Sequence, residues 1–312
     1  MTLKVLITCP PMLQNIDNFK DNFARHGIEI TTPDIVQTLS VEELIKIVPL
    51  HDGWIIGDDP ATEEVFKAGK AGKLKAAVKW GIGVDNVDFS ACKKFGIPVT
   101  NTPGMFGTEV ADIAMGYLLG LARDTFFIDR EIRKGRWPKP SGISLPGKTL
   151  GIIGLGDIGR NIAKRAYAHD LHILGWDPYA SELPSYIELN NHWPLDIKRC
   201  DFIIFACALT DNTYHLFNRS LLEKLKPGVR VINVSRGPLI DEDALLEGLS
   251  SGMINSAALD VFENEPLEPS HPILEYHRCI LGSHNGSNTI DAVIRASDAA
   301  IQLLYSMLKI EV

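Results

Sequence analysis

Ten residues, LGIIGLGDIG at 150–159, restrict this chain more than any other feature. An apolar run leads into Gly154, Gly156 and Gly159 at G-x-G-x-x-G spacing, and a helical pattern follows. The next apolar run ends in Asp177, 18 positions after the third glycine. Each part has a task in a strand–turn–helix unit that holds a dinucleotide. Gly154 permits the tight turn, Gly156 lets a pyrophosphate reach the backbone, and Gly159 lets helix and strand pack closely. N–H groups at the helix N-terminus bind the phosphate oxygens. A carboxylate at Asp177 accepts hydrogen bonds from the adenosine ribose and repels a 2′-phosphate, which favours NAD over NADP. Gly-rich turns also arise for packing alone; the flanking strand, the helix and the spaced Asp together select the nucleotide reading.

At 312 residues the chain is long for a single core and suits two domains. A net charge of −8 argues against a sequence-independent nucleic-acid partner, which needs a cationic surface. The most apolar stretch, residues 113–122, is half the ~20 residues that span a bilayer and reads as a buried helix, so no membrane partner is expected. Residues 1–10 lack the apolar core and cleavage site of a signal peptide. Cys9, Cys92, Cys200, Cys207 and Cys279 are scattered without C-x-x-C spacing, which fits a reducing cytoplasm and offers no metal site.

Short apolar runs alternate with amphipathic segments twice over. In the first series the strand candidates are residues 5–8, 28–31, 53–56, 76–79 and 98–99, with helices over 41–47 and 63–68 capped by Ser40 and Thr62. The second series has strand candidates at 149–153, 173–176, 202–205, 229–233, 257–259 and 280–281. Such alternation predicts α/β architecture: two doubly wound parallel-sheet domains, a flavodoxin-like one and a Rossmann nucleotide domain, joined by a hinge. A long helical pattern over 109–133 and the Pro/Gly-rich segment 135–142 lie between the series. Residues 291–308 read as one amphipathic helix with no place in the second sheet, so the chain is expected to return to its first domain. The expected division is 1–100 with 286–312 for the substrate domain and 101–285 for an inserted NAD-binding domain.

Three polar residues follow apolar runs of the second series: Arg236, Glu265 and His284. Ligands of doubly wound sheets bind outside the carboxyl ends of the strands, so all three are candidates for a place beside the cofactor. Hydride exchange with a 2-hydroxy acid needs a cation to hold the carboxylate and polarise the carbonyl, which suits the planar fork of Arg. It also needs an acid–base for the hydroxyl proton, which suits His, and a carboxylate beside that His favours its charged form. Taken singly, each has an ordinary explanation: a solvated Arg, a loop Glu before Pro, a surface His.

With these residues in view, the chain resembles the D-isomer-specific 2-hydroxyacid dehydrogenase family over nearly its whole length. The resemblance is carried by GIGVDNVD at 81–88, NTPG at 101–104, the motif at 154–159, NVSRGP at 233–238, ALDVFENEP at 258–266 and Ser283-His284. The phosphoglycerate-dehydrogenase-like branch is the most similar. The resemblance implies Arg236, Glu265 and His284 as the catalytic set, with His284 the proton donor in reduction and Glu265 its partner. It implies Asp157 and Ile158 on the pyrophosphate, Asp177 on the ribose and Asp260 near the nicotinamide amide. It also implies Ala206, Cys207, Val234, Ser235, Arg236, His284 and Gly286 as cofactor contacts. Ile82, Gly83 and Val84 would hold the substrate carboxylate through backbone N–H groups, together with Arg236 and His284; otherwise that loop is a tight turn. Homodimers formed through the nucleotide domain, with a hinged substrate domain closing over the cofactor, are further implications.

Several positions depart from the family pattern. Phe106 stands where an Asn is frequent, Glu109 where Ser or Ala is usual, and Asp112 replaces a Glu. The loop at 206–210 lacks the usual Pro and His, and Gly282-Ser283 replaces Thr-Pro before His284. Phe106 and Glu109 are therefore candidates for specificity. Asp58 and Asp59 stand where phosphoglycerate dehydrogenases supply arginines, while Lys79 retains a cation near that edge. The expected activity is NAD-dependent interconversion of a small D-2-hydroxy acid and its 2-keto acid, with phosphoglycerate-like, glycerate/hydroxypyruvate and glyoxylate substrates all open. The alternatives are a formate- or phosphite-type dehydrogenase and an NAD-binding corepressor-like regulator.

Overall fold

The computed structural model describes residues 2–310. Contacts divide the chain into two compact units, Met1–Phe106 with Asn288–Val312 and Gly107–Ser287. The first unit carries strands β1 (Leu3–Ile7), β2 (Ile28–Thr31), β3 (Gly53–Ile56), β4 (Ala76–Lys79) and β5 (Val99–Asn101). Its helices are α1 (Pro10–Gln14), α2 (Asp17–Arg25), α3 (Val41–Ile47), α4 (Glu63–Ala71) and α5 (Phe89–Phe95). The strands are all parallel in the order β2-β1-β3-β4-β5. This is the flavodoxin-like order, whose direction of travel reverses between β1 and β3.

β3 and β4 are buried along their whole length, which is why they read as unbroken apolar runs rather than alternating ones. Local chemistry sets the helix ends. Ser40 and Glu43 form a capping box on α3, and Asp88 caps α5, which Gly96 ends in the left-handed region at φ 64°. Thr62 precedes α4 without making the expected side-chain cap.

The second unit holds α6 (Gly107–Arg123), α7 (Thr125–Arg133), β6 (Thr149–Ile153), α8 (Asp157–Tyr167), β7 (His172–Trp176), β8 (Ile187–Leu189) and β9 (Phe202–Phe205). It continues with α9 (Arg219–Leu222), β10 (Val229–Asn233), α10 (Glu242–Ser251), β11 (Ile254–Leu259) and β12 (Ile280–Leu281). Its sheet is parallel throughout, in the order β12-β11-β10-β9-β6-β7-β8, the Rossmann winding with its switch between β6 and β9. Phe202, Phe205, Phe217, Leu239, Leu245 and Ile254 are among its fully buried side chains.

α11 (Ile290–Leu308), capped by Thr289, packs in the first unit. The Trp80 indole N–H donates to Ser297 at 3.1 Å, and Leu304 sits against Gly53 of β3.

Two expectations are corrected. The single helix over 109–133 is two helices, because Asp124 turns into the left-handed region at φ 53° between α6 and α7. The division falls at Phe106/Gly107 and Ser287/Asn288, not at 100/101 and 285/286. The segment after β5 belongs to the first unit: Gly81 N–H donates to Thr102 Oγ1 at 2.8 Å, and Phe106 packs its ring on Trp80 at 5.0 Å. Phe106 is thus a buried packing residue. The edge strand β8 had no recognisable pattern, being three residues long behind Pro184.

Candidate active site

The glycine turn sits at the switch point of the second sheet. Gly154 leaves β6 at φ 91°, a conformation side chains rarely adopt, and a Cβ there would stand 2.6 Å from the Cys207 backbone. A Cβ on Gly159 would drive into the Gly154 carbonyl, so α8 and the turn are in direct backbone contact. Gly156 differs: a Cβ there would meet nothing within 4 Å. It is also the N-cap of α8, and no side chain caps the helix there. Open space above uncapped N–H groups is what a pyrophosphate requires.

Asp177 follows β7 and faces this turn. Its carboxylate accepts from Leu155 N–H at 2.7 Å and Tyr179 N–H at 2.8 Å. It therefore braces the glycine turn, a task beyond the ribose contact expected of it. Arg160 adds a tie the sequence did not suggest: Nε donates to Leu155 O and Nη2 to Ser181 O, each at 2.8 Å. Asp157 is exposed in the first turn of α8, where Asn161 Nδ2 donates to Oδ1 at 3.0 Å, and Ile158 beside it is half-buried. Ala206 and Cys207 follow β9 across the switch, both half-buried. Burial pushes the Cys207 thiol up to about 12, so it stays protonated at neutral pH and offers surface rather than nucleophilicity. Ser235 Oγ donates to Cys207 O, joining the β9 and β10 loops.

Arg236, Glu265 and His284 follow three adjacent strands, β10, β11 and β12. Asn233, buried at the end of β10, accepts from Ser235 N–H at 3.1 Å and donates to Arg236 O at 2.7 Å, which fixes the turn that presents Arg236. Gly237 lies against the Phe262–Glu263 backbone so tightly that no Cβ fits, locking the β10 loop onto the β11 loop. Glu265 accepts from Phe262 N–H at 3.0 Å with one oxygen and meets His284 Nδ1 at 2.8 Å with the other. His284 adopts φ 54°, a strained value for a non-glycine residue, and its N–H donates to Asp260 O at 2.6 Å.

Asp260 is almost fully buried and fully employed. It accepts from Tyr117 Oη at 3.0 Å, Gly286 N–H at 2.8 Å and Asn285 N–H at 3.3 Å. Burial, then the Asp260 charge, raises the Tyr117 hydroxyl above its ordinary value, so it remains a donor. The β11 loop is also pinned from behind by Glu242, whose carboxylate accepts from Glu263 N–H at 2.9 Å and meets His271 Nε2 at 3.0 Å. His215, Asp241 and Glu263 gather there within 4.8 Å of one another, but Asp241 caps α10 and Glu263 accepts from Glu242 N–H.

A match of residues 115–286 to the family model for the D-isomer specific 2-hydroxyacid dehydrogenase NAD binding domain covers this whole constellation. The chain belongs to that family. It is 37% identical to a hydroxypyruvate reductase of Thermotoga maritima over 294 residues, 92% of this chain and 93% of that protein. It is 36% identical to a glyoxylate reductase of Thermofilum pendens, over 86% of this chain and 82% of that one. The TT0316 protein of Thermus thermophilus superposes with a TM-score of 0.87 at 30% identity, covering 98% of this chain and 97% of its own. As a D-isomer-specific 2-hydroxyacid dehydrogenase, the chain is an NAD-dependent oxidoreductase.

The first unit carries the loop at 82–84. Gly81 opens it at φ 123°, Asn101 Nδ2 donates to Ile82 O at 3.2 Å, and the Ile82 and Val84 side chains are exposed. Asn86 ties this loop to the one after β3, donating to Gly57 O at 3.1 Å and Asp59 O at 2.7 Å. Asp58 and Asp59 take opposite directions. Asp59 is buried, accepting from Thr8 Oγ1, Gly57 N–H and Leu39 N–H, whereas Asp58 pairs with Lys79 at 3.0 Å. Among the described residues no helix is long and apolar enough to cross a membrane.

Proposed function

We propose that this dehydrogenase interconverts a small D-2-hydroxy acid, of the glycerate or glycolate kind, with its 2-keto acid. The observation that carries the reading is the His284–Glu265 contact at 2.8 Å, set on a loop frame shared with Arg236. NAD supplies the hydride acceptor for oxidation and, when reduced, the donor for reduction. Arg236 binds the substrate carboxylate and polarises the carbonyl. Backbone N–H groups of Ile82, Gly83 and Val84 hold the same carboxylate. His284 gives the proton to the nascent alkoxide in reduction and takes it back in oxidation, with Nε2 as the exchanging atom because Nδ1 faces Glu265. Glu265 fixes the ring and stabilises its charged form. Gly154, Gly156, Asp157, Ile158 and Gly159 cradle the pyrophosphate and Asp177 the ribose. Ala206, Cys207, Val234, Ser235, Asp260 and Gly286 line the remainder of the nucleotide.

The same proposal includes a homodimer through the nucleotide domain, in the cytoplasm. Leu119, Phe126, Ile132 and Trp137 are exposed in the second unit, and no residue of α7 is buried, which fits a face covered by a second copy. All five cysteines are free thiols, as a reducing compartment allows. Initial rates of NADH consumption with glyoxylate, pyruvate, hydroxypyruvate and longer 2-keto acids test the activity. Selective turnover of a two- or three-carbon acid supports it, and silence across the panel with NADH bound refutes it. Sedimentation at graded concentrations tests the dimer.

A further inference from the structure

The first sheet has its own switch point, between β1 and β3, and Gly57-Asp58-Asp59 stands directly outside it. That is where open α/β sheets receive ligands. Gly57 presses on the chain leaving β1, where a Cβ would meet Thr8 O at 2.6 Å, so the next residue is carried out at the strand ends. Asp58 emerges with its side chain 35% exposed. One oxygen accepts from Lys79 Nζ at 3.0 Å, the other from Gln37 Nε2 at 3.3 Å. Lys79, the last residue of β4, is only 3% exposed at its side chain, and its second bond goes to Trp80 O at 3.1 Å. Its Nζ lies 3.7 Å from where a Gly81 Cβ would stand, so the cation sits at the root of the 82–84 loop.

We infer that the Asp58–Lys79 pair is a charge filter of the substrate domain, selecting 2-keto acids whose third carbon is uncharged and rejecting those that carry phosphate there. The inference rests on the proposed function, in which the 82–84 loop holds the substrate carboxylate. The reasoning is electrostatic. A phosphate dianion entering beside that loop needs a cation, and the ammonium nearest the loop root is buried and already compensated by Asp58. What the pair presents outward is the carboxylate edge, because Asp58 is the exposed partner and Lys79 the buried one. Like charges brought together at a recognition surface discriminate more sharply than a lost contact does. A neutral hydroxymethyl group or a hydrogen in that place meets no such repulsion.

The test compares kcat/KM for hydroxypyruvate and 3-phosphohydroxypyruvate in wild type, Asp58→Asn, and Asp58→Asn with Lys79→Met. Asn keeps an oxygen for Lys79 but removes the negative charge, which protects the fold better than Ala would; a thermal melt checks this. Wild type is expected to prefer the unphosphorylated acid by ~100-fold or more, and Asp58→Asn to narrow that ratio by ~10-fold or more. Adding Lys79→Met should restore the wide ratio, because the released cation is gone. An unchanged ratio in Asp58→Asn, or equal turnover of both acids by wild type, overturns the filter while leaving the dehydrogenase reading intact. No turnover of either acid by NADH-bound wild type overturns the proposed function, and the filter with it.

Discussion

Gly237→Ala puts the frame of the active site under a single measurable load. Gly237 follows Arg236 directly, and a Cβ there would fall on the Phe262 carbonyl, far inside the 3.0 Å that real Cβ atoms keep. The obstacle is backbone on both sides, so no side chain can swing aside. The β10 and β11 loops must separate by more than about 1 Å, moving Arg236 away from the loop that carries Glu265. Overpacking of this kind costs about 1–3 kcal/mol of stability. A displacement near 1 Å at reacting groups costs on the order of 100-fold in rate. The expected result is a kcat for keto-acid reduction lowered about 100-fold, with NADH affinity little changed, because the glycine turn at 154–159 is untouched. Stopped-flow NADH binding and steady-state kinetics separate the two. Gly116→Ala is the control: a Cβ there has nothing within 4 Å, and Ala within a helix gains about 0.5–1 kcal/mol over Gly. A Gly237→Ala enzyme with kcat within about threefold of wild type would refute the claim that this contact positions Arg236.

Other expectations are simpler. His284→Ala should lower reduction by about 10²–10⁴-fold with NADH binding retained, and near-normal turnover would remove His284 from the mechanism. Asp177→Ala should erode the NAD-over-NADP preference in kcat/KM; an unchanged ratio would leave Asp177 only its bracing bonds, such as that to Leu155. Asp59 is held above the ordinary carboxylate range chiefly by burial, against its three donors. Its stabilising contribution is therefore complete below the unfolded value near ~3.9 and is lost as pH rises through the higher folded value. Denaturant midpoints of Asp59→Asn should accordingly improve relative to wild type as pH rises above the ordinary carboxylate range, and a pH-independent difference would contradict the assignment.

The parts of this molecule that were legible in the sequence are those where local chemistry and global fold agree. β3, β4, β6 and β9 are buried almost throughout, so their apolar runs mark them unambiguously, and the glycine trio states its own geometry. His284, Glu265 and Arg236 were singled out by their placement after apolar runs, and the structure sets them after β12, β11 and β10. What escaped was set by long-range contact. The break at Asp124 is a single residue's choice of φ, and Phe106 is buried by Trp80, 26 positions earlier in the chain. Arg160, Asn233 and Gly237 hold the site by backbone bonds and close approach, which no periodicity reveals. Lys79 read as an available cation near the cleft, and its pairing with Asp58 is tertiary.

Asp260 joins three places at once: Tyr117 in the first helix of the nucleotide unit, His284 after its last strand, and Gly286 at its close. A Gly286 Cβ would also lie 3.7 Å from Val110, near the start of that helix. The entrance and exit of the unit are thus neighbours, clasped by one carboxylate. A module whose ends meet behaves like a bead on a doubled thread: its host is interrupted at a single spot, and neither sheet is crossed by the other's chain. Such a module is portable. Residues 107–287 carry the whole clasp within themselves, so a cut at Phe106/Gly107 and Ser287/Asn288 leaves every Asp260 bond intact.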